Sequence, residues 1–220
     1  MSRLSKQSAV VMLLGFVAVA MAPTLSFGQG GQSPLLPPNA NFRGKSFTEW
    51  NVLALEWEIA TSLGGQDLPG TVQKVRFMPF NFAGDEFDIR VKPGTAIAHP
   101  VLPIYGELYD DGTQDDPDAD YSFLYEATFI DARLDGQVLF QGFASDYEPY
   151  SFGTVVLDGP IFYAEPQPRG PGLNAIAATF VFGTGAVFHP LPVGEHTLVI
   201  DVQGPLGDYH TTYHITVSPK

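Results

Sequence analysis

The sequence predicts a mainly β protein, an antiparallel β-sandwich carrying one helix near its N-terminus. Three observations predict it. A single stretch, residues 46–63, combines helical periodicity with a cap at each end. Beyond it, roughly ten short apolar or alternating runs are separated by turn residues at regular spacing, the pattern of a sandwich. Aromatic residues make up 13% of the chain and charged residues only 16%, which suits packing on pleated surfaces and excludes a disordered acidic tail.

The helix opens as S-x-x-E. Ser46 is placed to accept from the amide of Glu49, and Glu49 to reach back to the amide of Ser46. Gly64-Gly65 closes it, since glycine tolerates the left-handed conformation that ends a helix. At 100° per residue, Phe47, Trp50, Leu53, Ala54, Trp57 and Ala60 form one apolar arc, and Val52, Leu55 and Ile59 a second. Glu49 with Glu56, and Asn51 with Glu58, are left as two narrow polar edges. A helix apolar over most of its circumference demands burial on more than one side, so both tryptophans are expected to be buried.

Before the helix, residues 1–28 have the form of a secretory signal peptide. Arg3 and Lys6 precede a 14-residue apolar run, Ala9 to Ala22, and Ser26 and Gly28 supply small residues ahead of a cut before Gln29. The run is shorter than the ~20 residues that span a bilayer, so no membrane span is expected after cleavage and the product is expected to be secreted or periplasmic. Residues 29–45 read as a Gly/Pro/Asn linker, and 46–220 as a single domain that includes the helix. There is no cysteine, so stability rests on the core. Without the leader, 9 basic residues stand against 24 acidic ones, a net charge of −15. Such a surface repels phosphate backbones and anionic lipids, which excludes nucleic acid as a partner.

The strands follow in order. Val72 to Phe77 and Phe87 to Val91 alternate and are joined through Gly84-Asp85. Thr95 to Tyr109 contains Pro100 and Pro103, which suit an edge or bulged strand. Tyr121 to Leu134 and Gln137 to Phe143 flank Asp135-Gly136, a hairpin signal. Val155 to Leu157 and Ile161 to Ala164 flank Asp158-Gly159-Pro160, and residues 165–174 read as an exposed Pro/Gly loop. Ala175 to Phe182 and Ala186 to His189 flank Gly183-Thr184-Gly185. In the closing pair, Leu198, Ile200 and Val202 match Tyr213, Ile215 and Val217 on one face.

The segment Pro190 to Leu198, P-L-P-V-G-E-H-T-L, resembles the final hairpin of bacterial immunoglobulin-like sandwich domains. More broadly, Gly44 to Trp50 (G-K-S-F-T-E-W), the P-G-T turn at Pro93 to Thr95, the Asp-Gly hairpin and that final segment together resemble a group of uncharacterised secreted bacterial proteins. The chain departs from that group in having Leu53 and Ala54 where another tryptophan is usual, and in lacking cysteines. The resemblance implies an immunoglobulin-like or jelly-roll sandwich with an N-terminal helix. It implies no activity.

Three constellations are candidates for chemistry. Asp110 to Asp120 holds six aspartates, and Asp116, Asp118 and Asp120, with Asp110 and Asp111, supply hard oxygens at spacing usable by calcium. Glu49 and Glu56 lie about 10.5 Å apart along the helix beside Trp50 and Trp57, the arrangement a carboxylate-dependent hydrolase of polysaccharide would need. Tyr147 and Tyr150 stand in a predicted loop as ligand contacts. His210 and His214 fall on one strand face about 13 Å apart, too far to share a metal. No nucleophile elbow, phosphate loop or dinucleotide motif occurs. The expected function is therefore that of an exported, non-catalytic binding or structural module, stabilised by calcium and meeting a carbohydrate or protein ligand, with the hydrolase as its alternative.

Overall fold

The capping signals place the helix where it forms. The structure, a computed structural model, describes residues 33–80 and 86–219. The expected signal peptide and its cut before Gln29 lie outside them. Strands β1 (Asn41–Phe42) and β2 (Lys45–Ser46) pair and deliver the chain to α1 (Phe47–Glu58). Ser46 Oγ accepts from the Glu49 amide at 3.2 Å and Glu49 Oε2 accepts from the Ser46 amide at 2.7 Å, which completes the capping box. The helix runs on into a π-helical turn, Ile59–Leu63, and ends at Gly64-Gly65, where Gly65 has φ +63°.

Both apolar arcs are buried, against different partners. Phe47, Trp50 and Ala54 pack with Val75, Phe77, Ala96 and Ala98. Val52, Leu55 and Ile59 pack with Phe152, Leu157, Tyr163 and Val181. Trp50 is fully enclosed, and its Nε1–H donates to the Phe42 carbonyl at 2.8 Å. Trp57, expected to share that burial, is half-buried: one side packs on Phe77, and Nε1–H donates to the Leu68 carbonyl at 3.3 Å. The Asn51–Glu58 edge is the larger correction, because both residues are buried.

The remaining elements, in chain order, are β3 (Thr71–Val72), β4 (Val75–Phe77), β5 (Glu86–Val91), β6 (Ala96–Tyr109), the short helix α2 (Ser122–Ala127), β7 (Phe129–Leu134), β8 (Gln137–Phe143), a 3-10 segment (Ala144–Tyr150), β9 (Ser151–Gly170), β10 (Leu173–Phe188), β11 (Gly194–Gln203) and β12 (Tyr209–Val217). They make two five-stranded sheets, ordered β3-β4-β6-β10-β9 and β5-β12-β11-β7-β8. Leu102, Ile104, Phe180 and Phe182 of the first share one core with Ile130, Leu198, Ile200, Tyr213 and Ile215 of the second. Helix α1 packs on the alternate side chains of the first sheet.

The protein is mainly β, but its sheets are mixed. Strand β4 pairs parallel to β6, and β5 pairs parallel to β12. The expectation of a purely antiparallel arrangement fails here because β4 and β5, consecutive in the chain, join different sheets. The run Val72 to Phe77 is broken by a turn at Gln73 and Lys74, whose φ angles are +49° and +60°. Tyr121 to Leu134 starts as α2 rather than as strand.

Strands β9 and β10 form one long hairpin around Gly172, at φ +73°. The expected turns at 158–160 and 183–185 and the expected loop at 165–174 are largely strand. Glycine at 183–185 serves approach, not turning. A Cβ on Gly185 would lie 2.1 Å from Asn51 Oδ1, and one on Gly183 1.9 Å from the Leu102 carbonyl oxygen. The closing hairpin has the predicted faces, with Leu198 opposite Tyr213 and Val202 opposite Tyr209. The described part of the expected 29–45 linker joins this body: Leu35 bridges to Phe188, and the Leu36 amide donates to the Val187 carbonyl at 2.7 Å. Among the described residues no helix is long and apolar enough to cross a membrane.

Candidate functional site

Strand β4 accompanies β6 only from Ala96 to Ala98. Farther along β6, Pro100 and Pro103 have no amide to offer a neighbour, and that stretch is covered by the end of α1 and the segment after β4. A cavity of about 370 Å³ remains between them. Leu55, Glu58, Ile59, Ser62 and Leu63 line it from the helix, Pro79 and Phe80 from the segment after β4, Phe87 from β5, and Pro103 and Tyr105 from β6.

Among the described residues of this wall Glu58 is the one that carries a charge, and it is 7% exposed. Its Oε1 accepts from the Ser62 hydroxyl at 2.7 Å, a contact made within the π-helical turn. Oε2 is buried and makes no hydrogen bond to a described residue, although the Phe80 amide lies close enough to the carboxyl to act on it. Burial pushes the carboxyl up to about 7, against the Ser62 hydroxyl and the Phe80 backbone, which pull the other way. Tyr105, whose hydroxyl bonds to no described residue, is pushed up to about 12 by burial and by the carboxylates of Glu107 and Glu58. A buried acid titrating near neutrality in an apolar, aromatic cavity is the arrangement expected of a ligand or proton-transfer site.

Across Pro103 and Tyr105 lies a wider cleft of about 700 Å³. Tyr121, Phe180 and Phe182 form its aromatic wall, with Tyr121 and Phe182 centred 4.7 Å apart, and Phe123 and Leu206 stand exposed at its rim. Its polar end is already satisfied. Arg169 Nε and Nη2 donate to Glu107 at 2.6 and 2.7 Å, and Tyr163 donates to the same carboxylate at 3.0 Å. Asp115 accepts from the Glu107 amide and the Tyr109 hydroxyl.

The sequence-predicted residues fall elsewhere. Glu49 is exposed and committed to the capping box, whose Ser46 bonds hold its carboxyl below the ordinary glutamate value. Glu56 is half-buried, and burial with the nearby Asp158 raises its carboxyl. Neither lines the cavity. Tyr147 is buried, edge-on to Phe140, and its hydroxyl accepts from the Gln141 amide at 2.6 Å; Tyr150 is half-buried against Phe47 and Phe140. These two tyrosines cover the end of the core and do not project as ligand contacts.

In the acidic loop most carboxylates are engaged separately, several in their own turns. Asp110 accepts from Asn174, Asp111 from Thr113, Asp116 from the Asp118 amide and Asp120 from the Ser122 amide, while Asp118 is exposed. Among the described residues no three His, Cys, Asp or Glu side chains converge to hold a metal. The calcium expectation therefore lacks a coordinating cluster there.

His99 is fully buried and neutral, pushed down to about 3 by burial; its Nε2 lies 3.2 Å from the Tyr213 hydroxyl, which donates to the Pro79 carbonyl. Sequence reasoning missed Glu58 by placing it on a polar edge. The signal was present: Asn51, Glu58 and Ser62 make one narrow stripe between the two apolar arcs, too narrow to stay wet once both arcs are enclosed. No protein-family model matches this chain, and no characterised protein matches it in sequence.

Proposed function

We propose that the protein is an exported binding module that takes a small ligand into the cavity between the end of α1 and β6, with Glu58 as its polar anchor. Export rests on the leader-like residues 1–28, and the scaffold is read as an immunoglobulin-like or jelly-roll sandwich. The observation that carries the reading is the Glu58 carboxyl, 7% exposed on a cavity wall with Oε2 free. A buried acceptor left without a partner costs about 1–3 kcal/mol, and a ligand that donates to it recovers that cost. The remaining wall supplies apolar area, and a pocket of this kind needs few polar groups to orient its ligand.

A polysaccharide hydrolase would need two carboxyls facing one bond. Among the described residues the cavity contributes Glu58 alone. In the cleft, Glu107 is occupied by Arg169 and Tyr163, and Asp115 by backbone and tyrosine donors. This supports binding over hydrolysis.

The test is a fragment screen by thermal shift on the protein and on Leu63→Trp, which fills the mouth of the cavity. Ligand at about a hundredfold excess over its Kd stabilises by about 2.7 kcal/mol. Fragments that raise the midpoint of the parent but not of a folded Leu63→Trp variant are the expected result. Hits indifferent to the filling, or a silent screen, would overturn the reading. Release of sugar reducing ends that disappears in Glu58→Gln would favour the hydrolase instead.

A further inference from the structure

We infer that the cavity selects an organic ammonium ion, a primary amine on a compact apolar body, with its N–H groups directed at Glu58 Oε2 and its hydrocarbon against Phe80, Phe87 and Tyr105. The inference rests on the reading of that cavity as the ligand site and adds the chemistry of its occupant.

The polar demand of the site is for donors. Ser62 already serves Oε1 and the Phe80 amide lies near the carboxyl, but Oε2 is buried without a hydrogen bond to a described residue. No Lys, Arg or His is among the described residues lining the cavity, so the carboxyl has no counter-ion among them. An ammonium group is compact and brings three donors and the missing charge together. The walls suit its substituents, since aromatic faces attract a cation and accept hydrocarbon equally well. Attraction at longer range has the same sign: 24 acidic residues against 11 basic ones favour approach of cations and oppose that of acids. A cavity of about 370 Å³ is matched by a single ring or a short branched chain and is too small for a polysaccharide segment.

Entry of the cation exchanges for a proton. With the ligand absent, Glu58 is half-protonated near pH 7; when the ammonium binds, the carboxyl ionises and its proton passes to solvent. The other groups facing it keep their charge between pH 5 and 8. Tyr105 on β6 and Tyr213 on β12 are raised, and His99 behind Tyr213 is depressed to about 3. Phe80, Phe87 and the two prolines contribute no charge. Affinity should therefore rise about tenfold from pH 6 to pH 8 and level off above, with about nine-tenths of a proton released at pH 6 and about one-tenth at pH 8.

The experiment is titration calorimetry of the full chain with benzylamine hydrochloride and with its neutral isostere, benzyl alcohol. It is run at pH 6, 7 and 8 in about 0.15 M salt to screen the acidic surface, in two buffers of different ionisation enthalpy. The expected result is tighter binding of the amine, with the tenfold pH dependence and the proton release, and weaker, pH-independent binding of the alcohol. Glu58→Gln should lose at least tenfold in amine affinity and keep the alcohol. Should that variant fail to fold, the pH slope and proton release of the parent protein still decide. Amine binding no tighter than alcohol binding, or independent of pH, overturns the ammonium inference and leaves the pocket reading standing. If neither probe binds, the inference is overturned, and a silent fragment screen would then remove the pocket reading as well.

Discussion

Replacing Glu58 with glutamine should change how stability depends on pH more than it changes stability itself. In the folded protein burial lifts this carboxyl from the ordinary 4.5 to about 7. Below pH 4.5 it is protonated whether the chain is folded or not, and folding costs nothing on its account. Between 4.5 and 7 the unfolded chain releases the proton and the folded one keeps it, so stability falls as pH rises, by up to about 1.4 kcal/mol per pH unit. Above pH 7 both states are ionised and the accumulated cost, about 3 kcal/mol, is constant. Glutamine has nearly the same shape and cannot ionise, so it removes this slope. The assay is denaturant unfolding of parent and Glu58→Gln at half-unit steps from pH 5 to 8. Subtraction matters, because His196 contributes a dependence of the same sign: burial lowers it, but the Asp135 carboxylate and the Pro192 carbonyl raise it on balance, so it too favours the folded state at lower pH. Carboxylates held low by their hydrogen bonds, such as Asp110 and Asp131, act only well below pH 5. The expected difference curve climbs in favour of Glu58→Gln, steeply between pH 5 and 7 and flat beyond. A difference that stays level across the range would refute the claim that Glu58 is a buried acid titrating near neutrality.

Three further outcomes are expected. Trp50→Ala should destabilise by about 3–5 kcal/mol, the cost of emptying a fully buried aromatic site, and half-buried Trp57→Ala by clearly less; equal midpoint losses in urea would contradict the burial difference. Gly106→Ala should cost about 1–3 kcal/mol by overpacking, since a Cβ there would lie 1.9 Å from Phe180 Cε1; an unchanged melting midpoint would mean that the ring moves aside freely. Melting curves in chelator and in millimolar calcium should coincide, because among the described residues the aspartates of 110–120 do not converge on one point; a higher midpoint in calcium would show that they re-aim around an ion.

What could be read without coordinates was local. The capping box at Ser46 and Glu49, the two apolar arcs of α1, the Asp135-Gly136 hairpin and the inward faces of β11 and β12 all follow from contacts within a few residues or from period-two alternation. Those signals state what a segment does with its near neighbours, and the structure agrees with each of them. The turns assigned from glycine and proline at 158–160 and 183–185 were misread, because a glycine that makes room for Asn51 or for the Leu102 carbonyl looks the same in sequence as one that reverses the chain.

The site belongs to the second kind of information. By itself the sequence determined that a helix apolar on two sides must be enclosed by a strand-rich body, because such a surface has no stable exposure to water. Only the tertiary structure decided that the stripe between its arcs, from Asn51 to Glu58, is enclosed too. Burial of Glu58 depends on β4 ending at Phe77, on prolines where β6 has no β4 neighbour and on Phe80 and Phe87, which line its cavity. Those partners lie 19 to 45 residues from it in the chain. A carboxyl's proton affinity is set by what surrounds it in space, and here those surroundings come from strands distant in sequence.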